Sequence, residues 1–178
     1  PALQTWADTY DPGWQATQDC VVRDFAHDTL VVRAILDLNG FDYLPVEHVA
    51  FGYGGQMSGR IIELRLSRAP GPIAVLPEAV GELDSLRVLW VHDGNLTQVP
   101  HTIGQLTALQ SLALSGNQLT SLPSSFVNLT DLTSLALDSN RLCNLSPALR
   151  AWADAYDPGW ESTQDCTPRD YSHASLVV

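Results

Sequence analysis

Leucine and other aliphatic residues recur through the middle of the chain in a fixed pattern of hydrophobic and polar positions. One eleven-residue pattern occurs three times at a spacing of 23 residues, as Leu86-x-x-Leu89-x-Val91-x-x-Gly94-x-Leu96, Leu109-x-x-Leu112-x-Leu114-x-x-Asn117-x-Leu119 and Leu132-x-x-Leu135-x-Leu137-x-x-Asn140-x-Leu142. Alternation of apolar and polar residues over five positions predicts a short strand with one buried face. Because one unit is too small to bury that face alone, we expect neighbouring units to stack into a solenoid.

The second half of each unit is patterned as well, as Leu76-Pro77-x-x-Val80-Gly81-x-Leu83, Val99-Pro100-x-x-Ile103-Gly104-x-Leu106 and Leu122-Pro123-x-x-Phe126-x-x-Leu129. An earlier unit begins at Ile61-x-x-Leu64-x-Leu66 and has two extra residues around positions 69–72. On these residues, the segment 61–145 resembles the leucine-rich repeat family. The resemblance implies an α/β fold, a short solenoid with parallel strands on its concave face and helical caps at both ends. It also implies that Asn117 and Asn140 are buried amides that satisfy backbone groups at the strand exits, and that Gly94 interrupts this ladder.

Caps are needed because the end units of a solenoid would otherwise expose their apolar faces. In the segment 21–60, which we assign to a linker and an N-terminal cap, the spacing of apolar residues predicts a helix over 28–40 with Asp28 as its N-cap. A second short turn is expected over 45–50. In the C-terminal cap, 146–166, Ser146 followed by Pro147 predicts the start of a helix that runs to about Ala155.

The two ends of the chain are copies of one segment. Residues 1–32 and 147–178 align without gaps, and 21 of the 32 positions are identical. We therefore expect one period of a tandem array, in which 1–20 is the cap remnant of a preceding module and 167–178 begins the next. Because the segment between modules is short and poor in Gly and Ser, we expect a rigid junction. Six aromatic residues are predicted to supply its apolar area: Trp6, Trp14, Phe25, Trp152, Trp160 and Tyr171.

Three cysteines fit this organisation. Cys143 and Cys166 flank the predicted C-terminal cap helix, and a disulfide between them would join the cap to the last repeat. Cys20 is the copy of Cys166, so its partner would precede this chain, or it forms a link to another chain. Paired cysteines indicate an oxidising compartment, and we expect an extracellular or cell-surface protein. Three sequons are then candidates for N-glycosylation, at Asn95, Asn128 and Asn144.

Composition excludes several functional classes. The 178-residue chain has a net charge of −11, which argues against binding to nucleic acids or to anionic membrane surfaces. Its longest apolar run is too short to insert into a membrane. The five histidines show no spacing typical of metal ligands, and the chain contains no catalytic motif. We therefore expect no enzymatic activity, no metal and no cofactor.

The predicted concave face offers a modest candidate site for a partner. Trp90 is the aromatic residue on that face, and Trp and Arg are enriched where partners bind most strongly. The candidate residues are Arg65, Trp90, His92, Asp93 and Asp138. The alternative is that Trp90 only covers small neighbours or packs against an adjoining module.

The duplicated ends favour a structural function. We expect a non-enzymatic module of an extracellular tandem-repeat protein that builds a fibre, stalk or surface layer, with adjacent copies of itself as its partners. The alternative is an adhesin or receptor ectodomain that binds a protein or glycan ligand on the concave face around Trp90.

Overall fold

A sheet of five strands in the order β1-β2-β3-β4-β5 organises the molecule. The computed structural model describes residues 25–52 and 60–166. Helix α1 (Phe25–Leu38) precedes the sheet and helix α2 (Pro147–Tyr156) follows it. The strands are β1 (Ala50–Gly52), β2 (Ile61–Arg65), β3 (Val88–Trp90), β4 (Ser111–Ala113) and β5 (Ser134–Ala136). Strands β2 to β5 pair in parallel, which confirms the predicted α/β repeat solenoid. Strand β1 pairs antiparallel with β2, and the sequence pattern did not predict it.

Each parallel strand returns to the next through a 3₁₀ turn on the opposite side of the solenoid. These turns are Glu78–Glu82, His101–Gln105 and Ser124–Asn128. They stack so closely that a Cβ added at Gly104 would lie 2.4 Å from the carbonyl oxygen of Ser125. The glycine of the repeat pattern is therefore required by the approach of the following turn. In the last repeat Val127 takes its place and is 41% exposed, because no further 3₁₀ turn of this type stacks on it.

The core is one continuous column of aliphatic side chains between the sheet and the 3₁₀ turns. In-register leucines of successive strands, among them Leu64, Leu89 and Leu112, are at most 1% exposed. The column ends in aromatic residues at the C-terminal side, where Phe126 and Trp160 are fully buried. Each fully buried side chain of this size contributes about 1.5–3 kcal/mol relative to an exposed one, so the repeats stabilise each other through shared burial.

Asparagine side chains satisfy the backbone where the chain leaves each strand. Asn117 Nδ2 donates to the carbonyls of Val91 (2.6 Å) and Leu114 (2.9 Å), and its Oδ1 accepts from Leu96 N (3.0 Å). Asn140 repeats these contacts one repeat later. Its Nδ2 donates to the Leu114 and Leu137 carbonyls, and its Oδ1 accepts from Leu119 N.

A glutamine of the C-terminal cap continues the same ladder. Gln164 Nε2 donates to the carbonyls of Leu137 (3.0 Å) and Trp160 (2.8 Å), while its Oε1 accepts from Leu142 N (3.1 Å). Gln164 follows Asn140 by 24 residues rather than 23, and its longer side chain reaches the equivalent backbone groups. The last repeat is thereby closed with the hydrogen bonds that a further repeat would have supplied.

The ladder is absent at Gly94, as the sequence predicted, and the structure gives the reason. A Cβ at this position would lie 2.7 Å from the carbonyl oxygen of Ile73 and 2.7 Å from Asn117 Oδ1. The backbone of the longer first repeat therefore occupies the space of the missing side chain. The Ile73 carbonyl also accepts a hydrogen bond from Asn95 N at 2.8 Å, and this bond joins the first repeat to the second.

The N-terminal cap differs from its predicted form in the position of Asp28. Helix α1 begins at Phe25, so Asp28 lies in its first turn and is not the N-cap. Its side chain is fully buried and accepts from Arg60 Nε (2.8 Å) and from Ile61 N (2.8 Å). The carboxylate thus joins α1 to the start of β2, a role that local capping rules cannot indicate. The expected second short turn is present as a 3₁₀ turn over Val46–His48.

The C-terminal cap follows the sequence prediction closely. Ser146 is the N-cap of α2, with Leu149 N donating to its Oγ, and Pro147 is the first helical residue. Beyond the helix, a disulfide joins Cys143 to Cys166 across a separation of 23 residues. The bond closes the loop that contains α2 and the 3₁₀ turn Trp160–Thr163.

We predict that Asn117→Ala destabilises the fold by about 3 kcal/mol, because it leaves buried donors and acceptors of the backbone without partners. Gln164→Ala should cost only about 1 kcal/mol, since Gln164 is half-buried and water can replace part of its contacts. Urea unfolding followed by circular dichroism measures both. Asn144→Ala, at an exposed position, is the matched control and should change nothing. Equal losses for Asn117→Ala and Asn144→Ala would contradict the ladder.

We also predict that replacing both Cys143 and Cys166 by Ala lowers stability by about 3 kcal/mol, the loop-entropy value for a closed loop of this length. Thermal unfolding of the oxidised protein, the reduced protein and the double variant tests this. The reduced protein and the variant should agree with each other. A variant as stable as the oxidised protein would mean that the disulfide adds nothing to the cap.

Candidate functional site

The concave face of the sheet is uneven. Strands β2 and β3 present large side chains to it, whereas β4 and β5 present small ones. The in-register row that starts at Arg65 continues as Trp90, Ala113 and Ala136. The neighbouring row is Glu63, Val88, Ser111 and Ser134. A partner on this face would therefore meet its large polar and aromatic contacts at the N-terminal end.

An arginine stacked between two aromatic rings forms the centre of this end. The Arg65 Cζ atom lies 4.5 Å from the Trp90 ring centroid and 5.7 Å from that of Phe51. Its Nη2 donates to Glu63 Oε2 at 2.7 Å, which fixes the rotation of the guanidinium plane. Cation–π contacts of this kind contribute about 0.5–2 kcal/mol each, depending on solvent exposure.

Two further contacts complete what we call the Arg65 cluster, defined as Phe51, Arg65, Arg68 and Trp90. Trp90 Nε1 donates to Ser111 Oγ at 3.1 Å, so the indole is held toward β4. The Arg68 Cζ atom lies 5.3 Å from the Phe51 ring centroid on an exposed side chain. Arg65 Nε is buried and has no hydrogen-bond partner within residues 25–52 and 60–166. Arg65 and Trp90 are thus each held by a hydrogen bond, and Arg65 carries a donor that no described residue satisfies.

The sequence had not placed Phe51 in this site. Phe51 lies on β1, and three residues without clear alternation of apolar and polar positions gave no strand signal. The antiparallel pairing of Phe51 with Glu63 brings its ring beside Arg65. This contact depends on the antiparallel pairing of β1 with β2, of which the sequence held no local indication.

The predicted partner residues separate into two groups. Arg65 and Trp90 are paired in register on neighbouring strands. His92 and Asp93 follow β3 after one residue, and His92 Nδ1 lies 2.9 Å from Asp93 Oδ2. Asp138 lies two repeats further along, outside this group.

The charge of Asp138 acts on Asp157 in the C-terminal cap. The pKa of Asp157 is raised above its ordinary value chiefly by partial burial and additionally by the charge of Asp138, while the hydrogen bond from Leu137 N opposes the rise. Asp157 is also the C-cap of α2, at the negative end of the helix dipole, which disfavours its charged form as well.

Trp152 and Trp160 were predicted to lie at the module junction, and both side chains pack inside the module itself. Trp160 is fully buried, and its Nε1 donates to Asp154 Oδ1 at 2.9 Å. Trp152 is 8% exposed and packs edge-on against Phe126, with ring centroids 5.4 Å apart. The Trp160 ring cannot therefore be a surface that meets a neighbour. Trp6, Trp14, Tyr171 and the side chain of Phe25 lie outside the described residues.

The three sequon asparagines Asn95, Asn128 and Asn144 are all exposed. Within the described residues, no group of three His, Cys, Asp or Glu side chains is arranged to hold a metal ion. None of the helices in that part of the chain is long and apolar enough to cross a membrane.

Comparison with known proteins identifies the repeat architecture. A family model described as a leucine-rich repeat region matches residues 60–150, just over half of the chain. No curated protein matches. Among solved structures, a leucine-rich repeat protein of Leptospira interrogans is similar over 43% of this chain and 19% of its own, with 38% identity and a TM-score of 0.39.

Two further solved structures are similar at lower identity. The leucine-rich repeat ectodomain of the receptor kinase SOBIR1 from Arabidopsis thaliana is 19% identical over 64% of this chain and 79% of its own, with a TM-score of 0.42. The structure of PEPR1-AtPEP1 is 20% identical over 66% of this chain and 21% of its own, with a TM-score of 0.44. The chain thus spans about a fifth of two of these three structures.

We predict that Asp157→Asn stabilises the protein at neutral pH, because the folded state raises this pKa and so favours the protonated carboxyl. The stabilising contribution of Asp157 is complete below its unfolded-state pKa and is lost as pH rises through the folded-state pKa. Asn removes that loss and keeps an oxygen that accepts from Leu137 N. Because solvent screens the partly exposed group, the gain should be below about 1 kcal/mol.

Urea unfolding at pH 7 and near pH 3 measures the difference between the variant and the wild type. The gain at pH 7 should disappear near pH 3, where the carboxyl is protonated in both states. Asp131→Asn, at an exposed position, is the control and should show no such pH dependence. A variant less stable than the wild type at pH 7 would contradict the assignment.

Proposed function

The chain belongs to the leucine-rich repeat family, and from that premise we propose that it is a non-enzymatic, extracellular recognition domain. Its ligand is a segment of a partner protein, bound on the concave face at the Arg65 cluster. The observation that carries the proposal is the stacking of Arg65 between Phe51 and Trp90 with its Nε buried and unsatisfied among the described residues.

The energetics of the Arg65 cluster support a binding role. A buried donor without a partner costs about 1–3 kcal/mol, which offsets much of what the cation–π contacts of Arg65 and its hydrogen bond to Glu63 contribute. Half-buried Trp and Arg side chains fixed by neighbours lose little entropy on binding, so they suit a contact that must be strong. The cluster therefore resembles the centre of an interface more than a structural element.

The small side chains of β4 and β5 support the same role. Ser111, Ala113, Ser134 and Ala136 leave a shallow floor beside the wall that Trp90 forms. An extended segment can approach the sheet closely over such a floor and contact the indole from the side. The disulfide of the C-terminal cap supports an oxidising compartment, which fits an extracellular partner.

We predict that Trp90→Ala weakens binding of a selected peptide by more than about 30-fold, the loss typical of a central interface tryptophan. The experiment is to select binders to the wild-type domain from a displayed library of random peptides. The affinity of the enriched peptides is then measured calorimetrically with Trp90→Ala and Arg65→Ala.

Asn128→Ala is the matched control, since it alters an exposed residue of the 3₁₀ turn on the opposite side of the solenoid. Thermal unfolding of each variant separates lost binding from lost folding. Enriched peptides that bind Trp90→Ala and Arg65→Ala as tightly as the wild type would overturn the proposed site.

A second candidate function follows from the duplicated ends. Because 21 of 32 aligned positions are identical, the domain is proposed to be one module of a tandem array that builds a fibre, stalk or surface layer. The junction would have to use residues other than Trp160, whose ring the cap already buries. Electron micrographs of a chain with three modules test this, since freely jointed beads would contradict a rigid junction.

A further inference from the structure

A cleft of about 290 Å³ lies at the end of β2 and β3, next to the Arg65 cluster. It is lined by residues 66–67 and 69–73 of the first repeat and by His92 and Asp93 of the second. The first repeat spans 25 residues rather than 23, and its two extra residues lie in the segment 69–72, which lines the cleft. The cleft is therefore a feature of this chain and not of the repeat pattern.

The wall that the first repeat contributes is held in place. Pro70 and Pro72 fix two backbone angles, and a Cβ at Gly71 between them would lie 3.2 Å from Phe41 Cζ of the N-terminal cap. The far end is tied by the hydrogen bond from Asn95 N to the Ile73 carbonyl. Because these contacts form the wall before any ligand arrives, little ordering cost remains for binding.

The opposite side of the cleft carries a carboxylate. Asp93 has a φ of +56°, a conformation that Asp and Asn adopt more readily than most residues. Its Oδ2 accepts from His92 Nδ1, and a Cβ at Gly116 would lie 2.5 Å from its Oδ1. The equivalent positions are Arg68 in the first repeat and Gly116 and Ser139 in the next two, so a carboxylate occurs at this position of the repeat only beside the cleft.

We propose that this cleft binds one cationic side chain, arginine or lysine, of the partner protein, with its apolar stem along the Pro70–Pro72 wall and its charge on Asp93. The volume is just below the roughly 300–1,000 Å³ of pockets that enclose drug-sized ligands, and so suits a single side chain. A net charge of −11, with nine arginines and no lysine in the chain, favours a basic partner at long range. The inference rests on the proposed recognition function.

The first test uses N-acetyl-L-arginine methylamide and the norleucine analogue, which has a similar stem without the charge. Nuclear magnetic resonance titration of the intact chain should show saturable shifts at Gly71, His92 and Asp93 with the arginine probe only. Asp93→Asn, which tolerates the same backbone angle, should weaken binding at least tenfold, and Asp93→Gly should match it. Asp131→Asn is the control and should bind as the wild type does.

The proposal is overturned if the norleucine probe binds as well as arginine, or if Asp93→Asn binds equally with its fold intact. The peptides selected on the wild type separate this outcome from failure of the proposed function. The selected peptides could require Trp90, contain no basic residue and bind Asp93→Asn as tightly as the wild type. The cleft proposal would then be wrong, and the recognition function would stand. Conversely, the arginine probe could bind in a manner that depends on Asp93 while no selected peptide depends on Trp90. The cleft proposal would then stand, and the proposed function of the Arg65 cluster would be contradicted.

Discussion

The need to satisfy buried backbone groups at the strand exits is the constraint on which this solenoid depends. Each chain reversal places amides and carbonyls inside the stack, where water cannot reach them, and each orphaned group would cost about 1–3 kcal/mol. Asn117 and Asn140 meet this need by each donating to three carbonyls and accepting from one amide. Because the carbonyls of Leu114 and Leu137 each accept from two ladder side chains, neighbouring repeats are linked and cannot shift independently.

The two ends meet the same constraint differently, and this difference places the candidate site. At the C-terminal end Gln164 continues the ladder, so the geometry stays regular up to the disulfide. At the N-terminal end the longer first repeat fills the place of the missing side chain at Gly94 with the Ile73 backbone. That longer connection also forms the cleft wall, and the antiparallel β1 brings Phe51 to Arg65. The N-terminal end of the solenoid is thus where the chain departs from the repeat pattern and where the residues of the candidate site lie.

Much of the fold could be predicted from the sequence because its signals are local and repeated. The 23-residue spacing of Leu86, Leu109 and Leu132 was sufficient for the parallel strands, and Ser146-Pro147 for the start of α2. What could not be predicted depends on contacts between distant segments. The residues around Asp28 predict a helix N-cap. In the structure its carboxylate instead accepts from Arg60, 32 residues away, and joins α1 to the start of β2. Phe51 was missed for the same reason, so the sequence revealed only part of the Arg65 cluster.

The tryptophans show why burial, rather than residue type, separates a core from a surface for binding. From the sequence, Trp90 was a candidate for partner binding on the concave face, and Trp152 and Trp160 were candidates for the module junction. In the structure the side chains of Trp152 and Trp160 pack inside the C-terminal cap. Trp152 is 8% exposed and Trp160 is fully buried. Trp90 stays half-buried although β4 and β5 beside it leave room for a larger neighbour. Selection for stability alone would favour larger side chains at these positions, so the small residues beside a fixed indole fit the recognition function proposed above.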